Sequence, residues 1–289
     1  MLALGDRMVK PAIGFVVVAS LAGCAELEES TNAQQILEPP PAADRLELWL
    51  DADVGVGLRP DGEVYYWEDQ SGHGRTLGRG APSLPSITWS PKYPGSNHAG
   101  VVFTPDNNLS ASYLVNGDVQ VGQAFTIAMA LAPIAPPPGT PKSDHVPLTG
   151  LSAPTVTIAE FHDDDIFHPS SMFRATTGGG GSEPFQALGQ PNSWSAAPHI
   201  IIAQFNKDHS RFHVDGVPIR QTDGLLGKSP LTGIALSAGG RTYRGYIGLV
   251  FVFRGTLQWW EEQALYDYMA ARYPAQPAPP PNWPALPPI

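Results

Sequence analysis

Gly245-Tyr246-Ile247-Gly248-Leu249-Val250-Phe251-Val252-Phe253 is the most apolar extended run in the chain, and its reading decides the fold class. A run this rich in β-branched and aromatic residues predicts a strand. The stretch behind it, Leu257 to Arg272, has helical spacing, with Leu257, Trp260, Ala264, Leu265, Tyr268 and Met269 on one face. Trp260 is therefore expected in the core, together with Trp49 and Trp67, which also sit in apolar rhythms.

Upstream, apolar runs alternate with turn signals. Leu46–Leu50 alternates apolar and polar residues, and Val64-Tyr65-Tyr66-Trp67 runs into the turn Asp69-Gln70-Ser71-Gly72-His73-Gly74. Ala99–Phe103, Ala124–Leu131 and Thr155–Ala159 continue the series, the second of them long enough for a central strand. His199–Phe205 pairs naturally with Arg211–Val214 across Asn206–Ser210, in a hairpin that ends at Asp215-Gly216. Many short strands and one terminal helix predict an all-β, two-sheet antiparallel sandwich with a short C-terminal helix. The 30 Gly and 31 Pro among 289 residues favour the same reading, because tight turns need them.

The two ends of the chain differ from its middle. Arg7 and Lys10 precede an apolar stretch from Pro11 to Gly23. Those 13 residues fall short of the ~20 that a membrane-spanning helix needs, and a basic start with a short apolar run predicts a secretory signal. Residues 25–44 are polar and contain Pro39-Pro40-Pro41, as a tether would. Residues 274–289 hold eight prolines and are expected to be an extended, unpacked tail. The expected organisation is thus a leader over 1–23, a tether over 24–44, the sandwich over 45–273 and a Pro-rich tail over 274–289.

With 27 Asp+Glu against 17 Lys+Arg, the formal charge is −10. Removal of Asp6, Arg7 and Lys10 with the leader takes it to −11 (−10 + 1 − 2). An acidic chain without a Lys/Arg cluster repels phosphate backbones, so nucleic acid is excluded as an expected partner. The single cysteine, Cys24, rules out an intrachain disulfide. Leu21-Ala22-Gly23-Cys24 resembles the lipobox of bacterial lipoproteins. The resemblance implies cleavage after Gly23, acylation of the Cys24 thiol, a membrane partner through that lipid anchor and a place in the cell envelope. Ala25, rather than Asp, follows the cysteine, which by the same resemblance implies the outer membrane. Two or three acyl chains on one residue hold a protein stably, whereas one chain holds it only marginally.

The strand-like runs, in their order, resemble the concanavalin A-like lectin/glucanase jelly roll, in particular the laminin-G-like domains of bacterial secreted proteins. Leu48-Trp49-Leu50-Asp51-Ala52 followed by Trp67-Glu68-Asp69-Gln70-Ser71-Gly72-His73-Gly74 is similar to that family's opening, and Val101-Val102-Phe103 to its next strand. Val214-Asp215-Gly216 is similar to a hairpin edge of the family, and Gly245–Phe253 with the helix to Tyr273 to its closing strand and helix. The likeness covers about residues 45–273 and departs over 132–198, where Pro136-Pro137-Pro138-Gly139 and Gly178–Gly181 interrupt it. It implies a jelly roll that either binds glycans or hydrolyses them.

Glycoside hydrolysis with retention needs two carboxylates about 5 Å apart. In jelly-roll glucanases these share one strand face, as Glu-x-Asp-x-Glu or similar, and no such motif is found here; Glu160 and Asp163-Asp164-Asp165 come nearest, with an unsuitable spacing. Non-catalytic binding or adhesion, with glycan as the ligand class, is therefore expected. A glycoside hydrolase or polysaccharide lyase on the same fold, and a structural envelope protein that docks a protein partner, are the alternatives. Asp163, Asp164 and Asp165 are candidate calcium ligands, because adjacent carboxylates supply the oxygens that calcium prefers. Trp194, Trp89 and Tyr93 lie in polar loop contexts and are the candidate glycan platform.

Overall fold

The computed structural model describes residues 38–80, 87–104, 114–134, 145–151, 156–161, 172–177, 197–206, 210–219, 230–237 and 243–275, with 156–161 and 172–177 described by their backbone alone. In chain order the strands are β1 (Leu46–Asp51), β2 (Val56–Leu58), β3 (Val64–Trp67), β4 (Leu77–Arg79), β5 (Ile87–Ser90), β6 (Gly100–Phe103), β7 (Leu114–Val121) and β8 (Phe125–Pro133). They continue as β9 (His145–Thr149), β10 (Val156–Phe161), β11 (Met172–Thr177), β12 (His199–Phe205), β13 (Arg211–Val214), β14 (Val217–Ile219), β15 (Leu231–Leu236) and β16 (Gly245–Arg254), and the helix α1 spans Trp259–Arg272. The expected all-β class holds: two antiparallel sheets form a jelly-roll sandwich, with one short C-terminal helix.

The first sheet runs β14-β13-β12-β8-β16-β6-β5. β16 is its hub. β8 pairs along one edge of it, while β6 and β1 divide the other, β6 beside Gly245–Ile247 and β1 beside Leu249–Phe253. The second sheet runs β11-β10-β9-β15-β7-β4-β3-β2. Between the sheets, Leu50, Phe125, Ile127, Met129, Val250 and Val252 of the first meet Trp67, Leu77, Leu114, Ile234 and Leu236 of the second in one apolar cluster.

The outer face of the first sheet is covered by α1, and the sequence of β8 shows why. Successive side chains of a strand point to opposite faces. Ile127, Met129 and Leu131 therefore fill the inter-sheet core, while Ala128, Ala130 and Ala132 face outward and leave room for the helix crossing from β12 to β16. All nine residues of β8 are buried as a result. α1 lays Glu262, Leu265 and Met269 on this face, and the ring of Tyr268 meets Phe251 edge-on at 6.1 Å.

Two expectations are corrected here. Trp260 stands two residues, or about 200° of helix rotation, from Glu262, so it points away from the sheet and is 55% exposed. The last residues of the expected tether lie against the domain: Pro40 is buried, the Glu38 carbonyl accepts the Tyr268 hydroxyl at 3.0 Å, and a single 3-10 turn, Ala43–Arg45, leads into β1. No helix among the described residues is long and apolar enough to cross a membrane.

Candidate functional site

The family-like opening builds structure around two carboxylates. Asp69, in the turn after β3, accepts the Trp49 and Ser71 amides on Oδ1 at 3.0 and 2.9 Å. Its Oδ2 accepts the Ser71 hydroxyl at 2.8 Å and the Arg75 amide at 3.0 Å. The turn is thereby stitched to β1, and every lone pair of Asp69 that would face a ligand is used. Arg75 adds a bond to the Glu47 carbonyl at 2.8 Å.

Asp51 closes β1 and stands two residues before Asp53. Arg272, at the C-terminal end of α1, binds Asp51 with both arms, Nη1 to Oδ2 at 2.6 Å and Nη2 to Oδ1 at 2.9 Å, and reaches Asp53 Oδ2 at 2.7 Å. Asp53 also accepts the Ala99 amide at 2.7 Å and pairs with His98 Nδ1 at 2.5 Å. Burial lifts Asp51 above the ordinary carboxylate value, against the pull of Arg272. Burial works the same way on Asp53, but the Ala99 amide, His98 and Arg272 outweigh it and hold that carboxyl low. Burial would lower Arg272, yet its two carboxylates raise it.

This close carboxylate pair was not singled out from the sequence, although Asp51-Ala52-Asp53 carries the two-residue spacing. It is no hydrolytic pair. Asp51 is wholly buried, both its oxygens are occupied, and one guanidinium bridges both groups. Glycoside hydrolysis needs one carboxyl free for attack and another holding a proton over the open bond. Around the pair, Tyr273 donates to the Ala99 carbonyl at 3.1 Å, and its ring lies so close to Gly248 that a Cβ there would come within 2.2 Å. The network is a latch that fastens the helix to the sheet.

Of the expected platform, Tyr93 is fully buried, with its ring edge-on to Tyr273 at 4.8 Å, and so presents no face to a ligand. Its polar loop context misled because aromatic neighbours from β16 and the end of α1 close over it. Trp89 is half-buried, packs on the inter-sheet core and donates its indole N–H to the Ala52 carbonyl at 2.9 Å. Cys24, Trp194, Asp163, Asp164 and Asp165 lie outside the described residues. Among the described residues, no group of three or more His, Cys, Asp or Glu side chains is placed to hold a metal ion.

An open aromatic surface does occur on the outer side of the second sheet. Val56 pairs with Trp67, Gly57 with Tyr66 and Leu58 with Val64, which leaves Tyr65 as the extra residue of a β-bulge. Val64 and Trp67 both enter the core, so the bulge turns two successive side chains, Tyr65 and Tyr66, outward. Their rings meet edge-on at 6.2 Å. Tyr65 is 51% exposed, and the Arg59 guanidinium stacks 4.9 Å from its centroid. The Tyr66 ring lies over Gly57, where an added Cβ would meet it at 2.2 Å, and its other cross-strand neighbour, Gly78, leaves open space. Leu58, paired with the core residue Val64, is exposed at the strand end but belongs to the other face of the sheet. The sequence signal was present in Val64-Tyr65-Tyr66-Trp67, four apolar residues that strict alternation cannot place on one face; only the bulge says which two are outside.

No family model matches the chain, and no curated protein matches its sequence. Among solved structures it is similar to domain 4 of AbnA, a GH43 extracellular arabinanase from Geobacillus stearothermophilus, in complex with arabinotriose. That likeness has a TM-score of 0.51 at 11% identity and covers 76% of this chain and 97% of the domain. It is also similar to a GH54 α-L-arabinofuranosidase soaked with a cyclic sulfate inhibitor, with a TM-score of 0.56 at 11% identity, over 81% of this chain and 64% of that one. At such identity the likeness establishes the sandwich fold.

Proposed function

We propose that this chain is a lipid-anchored protein of the cell envelope, held by Cys24 at the outer membrane, whose sandwich binds glycans on the Tyr65–Tyr66 shelf without catalysing their cleavage. The observation that carries this reading is the bulge in β3, which presents two aromatic rings and a stacked guanidinium on one open face. Flat aromatic surface beside a few polar groups is the usual chemistry of ligand recognition. The sealed state of Asp51 and Asp53 supports binding over hydrolysis. The similarity to a sandwich domain seen with arabinotriose makes arabino-oligosaccharides the first probes.

Titration of a glycan panel, arabinotriose included, tests the proposal. Tyr65→Ala or Tyr66→Ala should weaken binding at least about tenfold, the loss of one buried anchor, with an unchanged melting temperature. A panel that is flat for the unmodified protein overturns the glycan reading, and sugar release from mixed polysaccharides overturns the non-catalytic one. The mass of the cell-derived protein tests the anchor: a Met1 start or a free Cys24 thiol removes it.

A further inference from the structure

We propose that Trp259 and Trp260 seat the domain on the lipid surface to which Cys24 is attached. This rests on the anchor reading above. The two tryptophans open α1, and at 68% and 55% exposure they are the most exposed large apolar side chains among the described residues. Their rings meet edge-on at 5.9 Å and make one apolar patch at the N-terminal end of the helix. The helix is held by Glu262, Leu265, Met269 and Arg272; Trp260 lies on its opposite side, and Trp259, three residues before Glu262, on the flank of its first turn. Tryptophan suits the boundary between lipid tails and water, where an amphipathic ring has one apolar and one hydrated side.

The path of the chain points to lipid rather than to another occupant. The described residues begin at Glu38, whose carbonyl is bonded to Tyr268 of α1. They then run to Arg45, which bonds the Thr256 carbonyl at 2.8 Å and Glu261 at 2.5 Å, one residue from Trp260. The described chain therefore begins beside the helix that carries the pair. From Cys24 to Glu38 the chain has 14 residue steps, a reach of no more than about 50 Å when fully extended. An anchor so close raises the effective concentration of lipid at the patch, so a contact too weak to recruit a free protein operates once the thiol is acylated. The acidic charge of the chain excludes attraction to anionic head groups as the cause.

The cell-derived protein is reconstituted on vesicles of phosphatidylcholine, with and without bromine on the acyl chains, and its tryptophan emission is compared. Quenching by the brominated lipid is expected for the unmodified chain, and its loss is expected in W259A/W260A, which removes two of the seven tryptophans. An unchanged melting temperature shows that the variant is folded, as substitution of two exposed residues should leave it. Equal quenching in both proteins, or none in the unmodified chain, overturns the proposal. Should the intact mass show an unacylated thiol, the anchor reading fails by itself. The same comparison on full-length chain coupled through Cys24 to a maleimide lipid then decides the tryptophan pair separately.

Discussion

The two ends of α1 are fastened to one sheet face by different chemistries. At the C-terminal end, Arg272 sits between Asp51 and Asp53, with His98 behind. At the N-terminal end, Glu262 receives the Gln204 amide at 2.7 Å and contacts His213, while the Gln204 oxygen accepts the Leu257 amide at 3.0 Å. The first is an ion cluster in which one cation bridges two carboxylates. The second sets a single buried carboxylate among an amide and an imidazole whose burial, with Arg211 near, lowers its pKa to about 4. A buried ion pair is costly to break from one side because the remaining charge has no partner, whereas neutral partners leave a smaller penalty.

The largest effect should follow from breaking the first latch. Arg272→Ala leaves Asp51 buried and uncompensated, and a loss of about 3–5 kcal/mol is expected in urea unfolding. The pair Arg272→Met with Asp51→Leu should recover most of it. A single variant that costs under about 1 kcal/mol would show that the helix is held by its apolar face instead.

The pH dependence separates the two ends. His213 has a folded value of about 4 against about 6.5 when unfolded, so the unfolded chain binds its proton first. Its contribution to stability is present above pH 6.5 and is lost as pH falls towards 4. Asp53, held below the ordinary carboxylate value, keeps its contribution above that value and loses it only as pH falls through its lower folded value. Urea midpoints from pH 7.5 to 3 should therefore decline in two stages, and His213→Gln should abolish the upper one. A midpoint that rises between pH 6.5 and 5 would mean that Glu262 holds His213 as an imidazolium.

The smallest effect is expected at Tyr93. Its buried hydroxyl has no hydrogen-bond partner among the described residues. Tyr93→Phe should shift stability by no more than about 0.5 kcal/mol, or raise it, because the variant relieves an unpaired polar group. A loss above about 1 kcal/mol would reveal a partner for that oxygen, such as a buried water.

The strands that could be read in advance are those whose apolar pattern is set locally: β1, β3, β6, β8, β10, β12, β13 and β16, with α1 after them. The hairpin end at Asp215-Gly216 was equally legible, since both residues hold the positive φ, 54° and 76°, that such a turn demands. β7 was missed because Asn116-Gly117-Asp118 reads as a turn; in the structure these residues lie where its register with β15 shifts. β15 was missed for the same reason, with Gly233 at a positive φ of 65°. β2, β4 and β14 are three residues each, too short for a periodic signal.

Composition and periodicity by themselves determined that this is a β-sandwich closed by an apolar strand and a helix, because alternation of side chains is a local property of the backbone. They did not determine which face each aromatic residue occupies. Trp260 turned outward, Tyr93 inward, and Tyr65 and Tyr66 together onto open surface, through a helix rotation, a closure by distant rings and one inserted residue. The pairing of Asp51 with Arg272 likewise joins residues 221 positions apart. Such choices belong to the tertiary structure because they depend on which surfaces meet, and no short stretch of sequence contains both sides of a contact.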